Sequence, residues 1–220
     1  MQARRKTGKK VFFAGSSHTR LFFLFMKDFF AEKASVSKLP YDAGNTAEIL
    51  GTIRYWPLED KNIVHVYTGH RDLMPDETGR PFIDAERFRG NLRQIIEILL
   101  ARTPGRVVFS NIPPVAESYL QTDPRRNERI SRYNEIIATV SEDAGILVHD
   151  FSGFVRTCPD AEDKYIDGLH FSRKFYKKYG KAWQNFYLSC CEPVNIGRNS
   201  GASPRGRGTA PFLLPGRRGS

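Results

Sequence analysis

Short apolar runs rich in Val, Ile and Phe alternate along this chain with longer amphipathic stretches, and that alternation limits the fold more than any other feature. Val11–Ala14, Ile63–Tyr67, Val107–Phe109 and Ile146–Val148 are bounded by Gly, Pro, Asn or Asp, and Ala34–Leu39 is a weaker fifth run. Their near-continuous apolarity suits strands buried on both faces of a parallel sheet. Between them Thr19–Lys33 reads as a helix. Asp84 is placed to cap another, whose apolar positions Phe88, Leu92, Ile95, Ile96 and Leu99 recur at spacings of three and four. Asn127–Ala144 repeats the pattern and ends at Gly145, and Ser172–Leu188 forms the last helix. The expectation is an α/β domain, a three-layer α/β/α sandwich around a mostly parallel five-stranded sheet.

Charge looks at first like that of a nucleic-acid binder, with 34 Lys and Arg against 24 Asp and Glu and a net +10. Its location says otherwise. Residues 1–10 hold five cations (Arg4, Arg5, Lys6, Lys9, Lys10) and residues 196–220 five more (Arg198, Arg205, Arg207, Arg217, Arg218), with no acid in either segment. The body between them is neutral, with 24 charges of each sign. A nucleic-acid surface needs a basic face built into the fold, so no specific nucleic-acid partner is expected. The tails offer only weak, salt-sensitive attraction to polyanions. The chain divides into a basic tail over 1–8, one domain over 9–193, and a Gly-, Arg-, Ser- and Pro-rich tail over 194–220 expected to be disordered.

Cys158, Cys190 and Cys191 are an odd set with no C-x-x-C pair, and no Asn-x-Ser/Thr acceptor occurs. Leu21–Met26 is far too short to span a bilayer, and Ser16, Ser17, His18 and Arg20 interrupt what would otherwise imitate a signal peptide. The reading is a reducing, cytoplasmic protein with no membrane span.

In sheets of this kind ligands sit at the carboxyl ends of the strands. The segments just after the runs are therefore informative: Gly15-Ser16-Ser17-His18-Thr19, Asp42-Ala43-Gly44-Asn45-Thr46, Thr68-Gly69-His70-Arg71-Asp72, Asn111-Ile112-Pro113-Pro114, and, before the last helix, Asp167-Gly168-Leu169-His170. A serine hydroxyl needs a base to take its proton, and the base needs a third group to fix its tautomer. Ser17 supplies the hydroxyl at a strand-to-helix turn, His170 the base, and Asp167, three residues earlier, the orienting carboxylate. Asp150 is the rival orienter. His65 reads as a satisfied core histidine, while His18 and His70 stand close enough to line the site. No carboxylate–histidine spacing makes a convincing metal set. The aromatic residues of 175–187 and of 22–30 read as packing faces.

Taken in order, these blocks resemble those of the SGNH (GDSL-type) hydrolase superfamily of esterases and acyl-processing enzymes. Gly15-Ser16-Ser17 matches the nucleophile block, Gly44 the second, Gly69-His70-Arg71-Asp72 the third, and Asp167-Gly168-Leu169-His170 the last. The resemblance spans nearly all of 11–172. It implies a flavodoxin-like fold, Ser17 as nucleophile, His170 as base, Asp167 as its partner, an oxyanion hole from the Ser17 and Gly44 N–H groups, and no metal or organic cofactor. The substrate it implies is a small-molecule or carbohydrate ester, cleaved through an acyl-enzyme. Two positions depart from the pattern. Ser16 replaces the usual Asp before the nucleophile, and Arg71 stands where an Asn would complete the oxyanion hole. Losing such a donor costs about 3–4 kcal/mol. Arg71 is then either a charged replacement or a binder of an anionic substrate group. Asn45, beside Gly44, is a substitute donor by proximity. The alternatives to a hydrolase are an acyltransferase acting on a sugar or other alcohol and a non-catalytic binding module on the same fold.

Overall fold

The computed structural model describes residues 8–30, 34–158 and 164–191, with the side chains of 188–191 excepted. Apart from Gly8, the two expected tails lie outside the described residues, as does the packing of Cys190 and Cys191. Five strands, β1 (Lys9–Gly15), β2 (Ala34–Lys38), β3 (Ile63–Tyr67), β4 (Arg106–Ser110) and β5 (Leu147–His149), form one sheet in the order β2-β1-β3-β4-β5. Every pairing is parallel. This is the flavodoxin-like order, whose switch point lies beside β1 and β3.

Burial follows position in the sheet. β3 is buried at all five residues and β1 at its last five, whereas β2, at the edge, shows no fully buried residue. That edge position explains why the second strand reads weakly in the sequence.

The helices are α1 (Ser17–Phe30), α2 (Thr46–Thr52), α3 (Ala85–Arg102), α4 (Glu117–Leu120), α5 (Arg126–Asp143), α6 (Phe151–Thr157) and α7 (Arg173–Cys191). Successive residues of a strand face opposite sides, so the sheet carries two cores. Phe12, Ala14, Val64, Val66, Val107 and Phe109 pack against α3 and α5 through Phe88, Leu92, Ile95, Ile130, Tyr133 and Ile137. Val11, Phe13, Ile63, Tyr67 and Val108 pack against α1, α6 and α7 through Phe22, Met26, Phe151, Phe175, Tyr179 and Trp183. The aromatic residues of the last helix are thus a core face, and Leu24 remains 63% exposed on the outer side of α1. Among the described residues no helix is long and apolar enough to cross a membrane.

Four of the five histidines, His18, His65, His70 and His149, are buried in this frame. Burial lowers His18 and His149 to about 3 and holds His65 and His70 well below the ordinary value. His65 bonds the Ser110 hydroxyl at 2.7 Å, and His149 the Tyr179 hydroxyl at 3.0 Å. The unfolded chain protonates each ring near pH 6.5 and the folded chain far lower, so their contribution to stability is complete above pH 6.5 and is lost as the pH falls. At pH 5 unfolding should absorb about four protons on these rings, and stability should fall by on the order of 1.4 kcal/mol per pH unit for each. Urea denaturation at pH 7, 6 and 5 checks this; a stability that stays level would count against neutral buried rings.

Candidate active site

β1 ends on Gly15, whose φ of +148° belongs to glycine and whose absent Cβ would stand 2.1 Å from the Tyr67 carbonyl oxygen on β3. This close turn hands the chain to α1, and Ser17 is the first helical residue. The backbone N–H of a first helical residue has no acceptor within its helix and points beyond the helix end.

The far end of the domain comes to the same place on a tight loop. Tyr165 pairs antiparallel with Phe171, and the Ile166 N–H donates to the His170 carbonyl at 2.9 Å. The Tyr165 hydroxyl donates to the Pro114 carbonyl at 2.8 Å, and the Ala116 N–H to the Gly168 carbonyl at 2.8 Å, which fasten the loop to the segment after β4. At its tip His170 Nε2 lies 2.8 Å from Ser17 Oγ, and His170 Nδ1 lies 2.6 Å from Asp167 Oδ2. Asp167 Oδ1 accepts the backbone N–H groups of His170 (2.6 Å) and Leu169 (3.0 Å). Partial burial works against ionisation of Asp167, but the His170 ring and these backbone donors outweigh it and hold the carboxyl below its usual range. An ionised carboxylate on Nδ1 fixes the ring proton there and leaves Nε2 as an acceptor for the Ser17 hydroxyl. Asp150, the rival orienter, is engaged elsewhere: it caps α6 through the Gly153 N–H and accepts from Asn111 at 2.7 Å.

The loops after β2 and β3 close the other side. The Ala43 N–H donates to the Gly15 carbonyl at 2.9 Å. Buried Asp72 accepts from the Thr46 N–H (2.9 Å), the Thr46 hydroxyl (2.5 Å) and the Thr68 hydroxyl (3.2 Å), joining both loops to the start of α2. Burial raises the Asp72 pKa, and these donors act against it. Buried Arg126 donates through Nη2 to the His70 carbonyl (2.5 Å) and through Nη1 to the Leu73 carbonyl (2.6 Å). His18 and His70 do stand beside the site: the His18 ring centroid is 5.1 Å from both His170 and His70.

Gly44, Asn45 and Arg71 are brought together, and all three turn to a residue that the sequence pattern did not single out. The Gly44 N–H donates to Glu48 Oε2 (2.8 Å), Asn45 Nδ2 to Glu48 Oε1 (3.0 Å) and Arg71 Nη1 to Glu48 Oε2 (3.3 Å). Asn45 is also the N-cap of α2, its side-chain oxygen accepting the Glu48 N–H. Its amide is therefore committed at both ends. Arg71 lies across Gly44, where a Cβ would come within 2.2 Å of the arginine Cδ. The Asn45-x-x-Glu48 spacing is a helix-start signature present in the sequence, whereas nothing in the pattern marks Arg126.

Two surface clefts of about 380 and 500 Å³ lie between α3 and α5, lined by residues such as Arg80, Asp84, Arg132 and Tyr133, and share no residue with this rim. Among the described residues no group of three or more His, Cys, Asp or Glu side chains is placed to hold a metal ion.

The sequence model of the GDSL-like Lipase/Acylhydrolase family matches residues 42–178, which is more than half of the chain. No curated protein sequence matches. Among solved structures, a lipase/acylhydrolase from Enterococcus faecalis superposes with a TM-score of 0.68 at 21% identity, covering 82% of this chain and 96% of that one. A GDSL-like lipase from Bacteroides thetaiotaomicron gives 0.64 at 15% identity over 86% and 92%. An acetylxylan esterase from Geobacillus stearothermophilus gives 0.64 at 14% identity over 81% and 93%. At these identities the likeness is one of fold.

Replacing Arg126 with Met keeps much of its volume but leaves two buried carbonyls without donors. It should cost about 2–3 kcal/mol in chemical denaturation; a loss below about 0.5 kcal/mol would mean that the 70–73 loop is held by other contacts.

Proposed function

The chain belongs to the GDSL-like lipase/acylhydrolase family and is an ester hydrolase, and from that premise we propose that Ser17 is its nucleophile, His170 the general base and Asp167 the group that orients the base. The observation that carries this reading is the pair of contacts on one imidazole, 2.8 Å to Ser17 Oγ and 2.6 Å to Asp167 Oδ2. A module that merely bound esters would have no need of an ionised carboxylate behind a histidine that meets a helix-start hydroxyl.

The steps are set by these atoms. Ser17 Oγ attacks the ester carbonyl carbon while His170 Nε2 takes the hydroxyl proton, and the imidazolium that forms is stabilised by Asp167. The tetrahedral oxyanion is met by the Ser17 N–H, aided by its position at the start of α1, and by the Gly44 N–H once Glu48 gives way. Arg71 stands where the family pattern has an Asn, with its charge offset by Glu48. Collapse expels the alcohol, which takes the proton from His170, and leaves Ser17 acylated. Water then enters, gives its proton to His170, and releases the acid. The substrates in view are small-molecule or carbohydrate esters with short acyl groups such as acetyl. The acetylxylan esterase among the structural neighbours supports that choice.

Ser17→Ala should abolish 4-nitrophenyl acetate hydrolysis and covalent labelling by a fluorophosphonate, with circular dichroism and melting unchanged. Equal turnover in that variant would overturn the mechanism. Asp167→Asn should lower kcat by on the order of 10³–10⁴, because the ring loses its fixed tautomer; steady-state kinetics would read it.

A further inference from the structure

The ester-hydrolase reading leaves Glu48 without a task, yet three side-by-side donors converge on its carboxylate. They are the Gly44 N–H at 2.8 Å, Asn45 Nδ2 at 3.0 Å and Arg71 Nη1 at 3.3 Å. Such convergence is the geometry of an anion site, and here the anion belongs to the chain itself. We infer that Glu48 is a specificity-determining residue: by neutralising Arg71 it makes the site select uncharged acyl groups and reject those that carry a carboxylate.

Three observations support this. First, the negative charge is not needed to start α2, because the Asn45 side-chain oxygen accepts the Glu48 backbone N–H at 2.9 Å and the helix-start pattern is met by glutamine as well as glutamate. Second, the Glu48 and Arg71 side chains are 41% and 51% exposed, so both are within reach of a ligand arriving from solvent. Third, the other charged groups beside this corner already have partners of their own. Arg20 pairs with Asp42 at 3.2 Å, and Asp72 is turned inward to Thr46 and Thr68. With Glu48 in place the Gly44–Arg71 corner carries no net charge. Without it, the Arg71 guanidinium and the Asn45 amide are left as donors beside the Gly44 N–H, a good receptor for a carboxylate carried by the acyl group.

The inference rests on the hydrolase reading, and the test separates the two. We would compare kcat/KM for 4-nitrophenyl acetate and 4-nitrophenyl hemisuccinate in the wild-type protein, Glu48→Gln and Glu48→Ala. The succinate-to-acetate ratio should rise about tenfold in both variants at low salt, and the rise should shrink in 0.5 M NaCl, as a charge effect at a partly exposed site must. An unchanged ratio would overturn the inference, and so would an equal rise for both esters, which would make Glu48 a plug and not a charge filter. The same selection is read without turnover by titrating monomethyl succinate into Ser17→Ala with and without Glu48→Gln. Binding that appears only when the Glu48 charge is removed supports the filter even if neither ester is hydrolysed; that second result would count against the hydrolase reading alone. Equal binding, or none in either protein, overturns the filter.

Discussion

Each crossover between parallel strands must carry the chain back to the end of the sheet at which the previous strand began, so all five strands finish at one rim. The site depends on this. Ser17 and His170 stand 153 positions apart and meet at 2.8 Å because one comes just after the first strand and the other just before the last helix. β1 lies between β2 and β3, so the loops carrying Gly44 and Arg71 flank the Gly15 turn from both sides. The pairing of Gly15 with Tyr67 sets how deeply that turn sits, and a side chain at 15 would collide with the Tyr67 carbonyl.

Gathering polar loops at a rim above an aromatic core creates buried groups that must be satisfied. Two ionisable side chains carry most of that burden, and neither relies mainly on an opposite charge. Asp72 takes three donors from Thr46 and Thr68, and Asn91 supports Thr46 in turn through a 2.8 Å bond to its hydroxyl. Arg126 commits two N–H groups to backbone carbonyls of the 70–73 loop, with Asp123 more distant at 3.7 Å. Hydrogen bonds of this kind fix the position of a loop more tightly than an ion pair between flexible side chains can. They therefore decide where Arg71, one residue before Asp72, comes to lie.

Much of this was legible in the sequence, and the failures have physical causes. Periodicity marks α3, α5 and α7 because each runs for eighteen or nineteen residues, long enough for an apolar stripe to repeat. It misses α2 and α6, seven residues each, which rest on their caps at Asn45 and Asp150 and on packing. The last strand begins at Leu147, one residue after the apolar run starts, because the Ile146 N–H is taken by the Ser141 carbonyl at the exit of α5. Ser17, His170 and Asp167 could be singled out by residue type and order, since the proposed roles each need a particular functional group, and the structure brings the three side chains together. Glu48 was not, since its importance lies in a contact with Arg71 across 23 positions that only the finished loops create.

That contact changes what the departure at position 71 means. Considered alone, arginine in place of the family's asparagine is a lost neutral donor. Beside Glu48 it is half of a pair. An asparagine at 71 would leave the Glu48 carboxylate held by the Gly44 N–H and the Asn45 amide, with no cation to offset it. The oxyanion of the proposed mechanism, forming beside it, would then meet an uncompensated negative charge, which raises the barrier instead of lowering it. Glycine at 44 belongs to the same unit, because only there can the arginine lie flat enough to reach the carboxylate. The corner is thus built from three residues whose properties are complementary: a backbone without a side chain, a cation laid across it, and an anion paired with that cation.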